Sequence, residues 1–171
     1  MEMNPEQKGH LKIRVGAACL SLFIGTLLMG VKFYLYRVTH STAILSDALE
    51  SIINVVASGF ALASILIASK PPDESHPYGH GKIEYFSAGF EGALIVLAAA
   101  GIFIAGLPRV FQPGDLPHLG GSLVILFVLS LVNLFLGIGL LRVGRRTDSL
   151  TLVADGKHVL TDVYTSGGVL L

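Results

Sequence analysis

Ionisable and amide side chains interrupt stretches of this sequence that are otherwise apolar. The run SDALESIIN places Asp47, Glu50, Ser51 and Asn54 inside one such stretch. On a helix, Asp47 and Ser51 lie one turn apart, Glu50 and Asn54 lie one turn apart, and Asp47 and Asn54 lie two turns apart. A later stretch carries Asp155, Lys157, His158 and Asp162, with His158 and Asp162 again one turn apart. Between them, Glu84 and Glu91 are spaced by two turns. A charge inside a membrane is costly, so each of these residues points to function by default. A carboxylate on one helix and a His/Asp pair on another form a donor set suited to Zn²⁺, Mn²⁺ or Fe²⁺. The same residues also fit a hydrogen-bonded clamp between helices or a proton relay without metal.

A second donor set lies in the polar segment KPPDESHPYGHG, which holds Asp73, His76 and His80. Pro77 and Gly79 bend the chain between the two histidines, so both rings can turn toward one point. Two histidines and a carboxylate can hold a divalent cation. Two histidines in a short loop are equally consistent with an ordinary polar turn.

The elements that must position these residues are apolar helices. A membrane span needs about 20 mostly apolar residues. Five segments meet that length: residues 13–36, 41–69, 83–107, 119–143 and 150–171, each to within a few positions. The second, at 1.5 Å per residue, is longer than a bilayer is thick, so it tilts or projects. Prolines and glycines break the chain between the second and third segments, and Gly114 and Asp115 mark a turn between the third and fourth. Thr147 or Asp148 is expected to cap the fifth helix. Gly92, Gly101 and Gly106, and Gly137, Gly139 and Gly144, read as helix-packing positions rather than as phosphate loops.

Bulk composition agrees with this reading. Hydrophobic residues make up 52% of the chain and charged residues 14%, against about 25% charged in a soluble domain. The formal net charge is zero, which argues against nucleic acid as a partner. The single cysteine, Cys19, excludes a disulfide within the chain. No nucleophile–base arrangement suggests an enzyme. The excess of Lys and Arg lies with the N-terminal tail and the even-numbered connections, which predicts a cytoplasmic N-terminus; the apolar segments predict a multi-pass protein, expected in a plasma (inner) membrane. The last segment ends in VYTSGGVLL with no stop signal, so the chain is expected to be truncated before a sixth helix.

These motifs together resemble the cation diffusion facilitator family of divalent metal/proton antiporters. SDALESIIN is similar to the family's second-helix metal motif. HPYGHGKIEYFSA, from His76 to Ala88, is similar to its loop into the third helix, and DGKHVLTDVYTSGG, from Asp155 to Gly168, to its fifth-helix motif. The resemblance implies an all-α polytopic transmembrane bundle, a homodimer, six helices and a C-terminal cytoplasmic domain, the last expected to be absent from this chain. It implies that Asp47, His158 and Asp162 hold the transported ion between the second and fifth helices, and that Asp73, His76 and His80 form a second, cytoplasmic site. The family's fourth ligand is commonly Asp or His one turn after the first, and this chain has Ser51 there. Glu50, Asn54 or water is then the alternative fourth ligand. The implied activity is divalent cation efflux exchanged for protons, with Zn²⁺, Mn²⁺ or Fe²⁺ as substrate and no organic cofactor. The alternative is a membrane assembly or regulatory subunit whose polar residues only pack helices.

Overall fold

The protein is described here by a computed structural model covering residues 4–111 and 120–170. It is all-α. The helices are α1 (Pro5–Thr39), α2 (Thr42–Ala68), α3 (Ile83–Phe111), α4 (Gly120–Arg146) and α5 (Leu150–Leu170). The turn expected at Gly114 and Asp115 lies outside the described residues.

Helix α1 starts two turns before its apolar block. Pro5 occupies the first helical position, where its missing N–H costs nothing. The Asn4 N–H donates to Gln7 Oε1 at 3.1 Å, closing the first turn. The helix is therefore 35 residues long, roughly 52 Å, and its polar start extends past the membrane. It ends at His40, whose φ of 52° turns the chain into α2.

Among the described residues, four helices are long and apolar enough to cross a membrane: Pro5–Thr39, Ile44–Ala68, Ile83–Gly101 and Val124–Arg146. The sequence reading counted five. Within its described residues α5 falls short of that apolarity, because Asp155, Lys157, His158 and Asp162 lie in its middle. The helix places three of them inward: Asp155, His158 and Asp162 are at most 5% exposed. Neighbouring helices, rather than its own composition, keep these groups out of lipid.

Helices α4 and α5 form a tight hairpin because they meet through glycine. A Cβ on Gly144 would lie 2.8 Å from the Val153 backbone nitrogen, and one on Gly156 would lie 2.9 Å from that of Leu141. Gly137 meets the carbonyl of Gly156 at 3.0 Å. Gly137 and Gly144 are thus packing positions, as expected, while Gly92, Gly101 and Gly139 have nothing within 4 Å of a Cβ. The hairpin turns at Asp148, which has a φ of 51°. Ser149, rather than Thr147 or Asp148, precedes α5. Its carbonyl accepts the Val153 N–H at 3.2 Å and its hydroxyl faces the Leu152 N–H. Thr147 instead turns its hydroxyl back onto the Val143 carbonyl.

Small residues also line α2. Ala48, Ser51, Ala57, Ser58, Ala61 and Ser64 are buried, which lets neighbouring backbones approach. Apolar residues from α1, α2, α4 and α5 fill one core, around Ala18, Ile65, Leu140 and Leu152. Large apolar residues such as Phe23, Val96, Phe103 and Phe135 face outward, as the lipid-facing surface of a bundle requires.

Candidate metal centres

Two polar stripes face each other inside the bundle. On α2, Asp47, Ser51, Asn54 and Ser58 recur at intervals of four, three and four. On α5, Thr151, Asp155, His158 and Asp162 repeat that spacing. Each set therefore occupies one helix face. The contacts run in opposite chain directions, so the helices are antiparallel. Ser58 Oγ donates to Asp155 Oδ1 at 3.1 Å, and His158 Nε2 donates to Asn54 Oδ1 at 2.8 Å. The Asn54 amide nitrogen donates to Asp162 Oδ2. Asn54 thus spans the two α5 residues proposed as ligands.

Asp47 is engaged differently. Its Oδ1 accepts from the Lys32 ammonium of α1 at 2.9 Å. Ser51, 4% exposed, gives its proton to the Asp47 backbone carbonyl at 2.9 Å. A narrow cavity of about 20 Å³ lies among Lys32, Ser51, Asn54, Asn133 and Asp162, room for one water-sized species. The structure therefore joins His158 and Asp162 through Asn54, and joins Asp47 to Lys32. Glu50 is partly exposed and makes no side-chain hydrogen bond into this network among the described residues.

Sequence reasoning missed several members of this network. Lys32 of α1 is one of them. Asn133 of α4 was not considered, and Ser58 lies outside the motif that drew attention. Lys32 carried a signal, since any charge inside an apolar run does. Asn133 and Ser58 carried none, because neutral polar residues are common in membrane helices. Glu91 of α3 stands apart: it is fully buried, and its carboxylate oxygens have no hydrogen-bond partner among the described residues. Glu84 has a different place. It accepts from Arg14 at 3.2 Å and from Ser149 Oγ at 2.7 Å, and Arg14 also donates to the Thr147 carbonyl.

The loop after α2 is the other candidate centre. Asp73 Oδ1 lies 3.0 Å from His76 Nδ1, and Asp73 Oδ2 lies 3.3 Å from His80 Nε2. The two rings lie against each other tilted by 39°, with centroids 4.4 Å apart. Gly79, at a φ of 79°, makes the reversal that brings His80 back. Ligand atoms of all three residues lie within 4.8 Å of one another, the only such group of three or more His, Cys, Asp or Glu among the described residues. Donors at 2.0–2.1 Å around a tetrahedral ion stand roughly 3.3 Å from each other, so this spacing suits one ion. The Ser75 hydroxyl, then the His76 side chain and N–H, pull the Asp73 carboxyl down to about 2. It is a ready anionic ligand. Beside this loop, a groove of about 800 Å³ opens between the start of α1, Lys70 to Pro72, and the start of α3.

Comparison with known proteins bears on these centres. Residues 18–171 match the family described as the cation efflux transmembrane domain. An uncharacterized transporter of Synechocystis sp. is 38% identical over 154 residues, covering 90% of this chain and 50% of the relative. An uncharacterized transporter of Methanocaldococcus jannaschii is 32% identical over 151 residues, covering 86% and 53%. The cation-efflux pump FieF of Escherichia coli is 28% identical over 155 residues, covering 91% and 52%. The chain spans about half the length of these relatives.

Proposed function

The chain belongs to the cation efflux transmembrane family, and from that premise we propose that it carries divalent cations out of the cytoplasm in exchange for protons. Asp47, His158 and Asp162 hold the ion in transit. Ser51, Glu50, Asn54 or water completes the shell. Asp73, His76 and His80 hold a second ion at the cytoplasmic face, with the N-terminus on that side. The active unit is a homodimer.

The observation that carries this reading is the buried ladder between α2 and α5, where His158 and Asp162 meet Asn54. It sets a nitrogen donor and a carboxylate on one face, with Asp162 lining a cavity that has room for one water-sized species. Carboxylates and imidazole ligate metal only when deprotonated, so protons compete for the same atoms. That competition is the physical basis of exchange, and alternating access carries the site between the two faces. Proteoliposomes with an imposed pH gradient should accumulate metal. Accumulation that ignores the gradient would remove the antiport.

A second reading draws on the same ladder. Asn54 satisfies both α5 side chains, and Lys32 satisfies Asp47, as a packing clamp would require. Stoichiometric metal binding to the purified chain separates the two. Under the transport reading, Asp47→Ala and His158→Ala each lose the intramembrane ion. Under the clamp reading, binding survives both.

The ion is the remaining question. Ser51 is a hydroxyl whose proton is already committed to the Asp47 carbonyl. One nitrogen and two carboxylates favour oxygen-loving six-coordinate ions over tetrahedral zinc. We expect broad divalent transport with Mn²⁺ or Fe²⁺ ahead of Zn²⁺.

A further inference from the structure

Lys32 lies two turns before the end of α1 at Thr39 and is 3% exposed. Its ammonium is 2.9 Å from Asp47 Oδ1. It lines the same cavity as Ser51, Asn54 and Asp162. Its charge acts on Asp162 and on Glu50 as well as on Asp47. A fixed positive charge therefore stands among the carboxylates that the transport reading assigns to a metal ion.

We infer that Lys32 is a tethered counter-cation of the transport site, and that an incoming divalent ion must displace its ammonium from Asp47. This rests on the transport reading above. The ammonium and the ion compete for the same carboxylate: Asp47 has a second oxygen to offer a metal, but an ion bound there would stand close to the ammonium and be repelled by it. Breaking a buried pair without replacement leaves a bare charge and is strongly unfavourable. Between metal ions, the ammonium removes that problem. It also repels a bound divalent ion across a short, poorly screened distance. The site thus binds less tightly than its ligands alone would allow, and releases its ion more readily. Lysine suits the role because its charge is compact and its four-carbon stem is flexible, so it can withdraw and return.

The test uses the chain in lipid nanodiscs with His76→Ala and His80→Ala, so that the loop does not report. Zn²⁺ and Mn²⁺ are titrated calorimetrically into this parent and into Lys32→Met, Lys32→Gln and Lys32→Arg. Removing the charge should tighten metal binding on the order of tenfold or more. In proteoliposomes the same variants should lower KM and also lower kcat, because release slows. Lys32→Arg keeps the charge and should keep the weak affinity. A lysine that only braces the fold would give weaker or unchanged binding in the neutral variants. That result, in a variant with parental thermal melting, overturns the inference. Lys32→Gln retains a hydrogen-bond donor for Asp47 and decides the matter should Lys32→Met fail to fold. Asp47→Ala and Asp162→Ala run in the same background keep the two readings apart. Binding that survives both substitutions removes the transport site itself. Binding lost in both, with no tightening in the Lys32 variants, removes only the role of Lys32.

Discussion

His158 Nε2 donates to Asn54 Oδ1 at 2.8 Å, so a single amide of α2 fixes the orientation of an imidazole on α5. The other end of that amide donates to Asp162. An amide can serve a donor and an acceptor at once, which neither Ser nor Asp in that position does as well.

Asn54→Leu should therefore cost stability. It leaves the buried His158 Nε2 without its acceptor, an expected loss of about 1–3 kcal/mol. Thermal unfolding in detergent micelles measures it. Asn54→Asp should instead tighten zinc, because it sets a third carboxylate beside His158. Parental melting of Asn54→Leu would show that the bridge carries no weight.

The α4–α5 hairpin gives a second prediction. Gly144→Ala and Gly156→Ala each push a Cβ to within 3 Å of a backbone nitrogen, and backbone cannot step aside as a side chain can. Each should destabilise by about 1–3 kcal/mol. Gly139→Ala, with open space around it, should be neutral. Equal melting of all three would contradict the close approach of the helices.

These two cases also show what sequence could and could not reveal. Asp47, His158 and Asp162 are legible because charge in an apolar run is conspicuous and the helical repeat gives the shared face. The helices themselves are legible from apolar length. The pairing of Asn54 with α5 depends on how two distant helices slide against each other, and no local pattern encodes that. Gly156 sits between Asp155 and Lys157 and gave no hint of packing. The start of α1 at Pro5 was hidden because a polar helical turn looks like a tail until its Asn-Pro-x-Gln opening is recognised.

At the loop, His76→Ala with His80→Ala should lower metal stoichiometry by about one ion per chain and leave residual transport. Complete loss of transport would make the loop part of the pathway. Ser75→Ala should raise the Asp73 carboxyl from about 2 toward its ordinary 3.8. The sign follows from the depressed value. Stabilisation of the anion is complete above the ordinary value and disappears as pH falls through about 2. Metal lost from the loop above about pH 4 is therefore not lost through protonation of Asp73. A carboxyl titration of Asp73 by NMR checks the shift, and an unmoved value in Ser75→Ala would remove the role of that hydroxyl.

Ser51→Asp should shift selectivity toward zinc by roughly tenfold against Mn²⁺. The residue is buried one turn from Asp47, so the new carboxylate enters the site. Competition transport at equal free metal reads the ratio. A strong zinc preference already present in the unaltered chain would sink the argument from Ser51.

Arg14 holds Glu84 of α3 and the Thr147 carbonyl at the α4–α5 turn, so three elements are pinned together at one end of the bundle. Lys32 stands 18 residues further along the same helix, roughly 27 Å away. The Lys32 end of α1 is held to α2 instead, by the short connection at His40 and Ser41 and by the ion pair with Asp47. Any rocking of α1 about Arg14 would sweep the Lys32 ammonium by roughly 0.5 Å per degree, so the far end of the helix is where a small tilt would be felt.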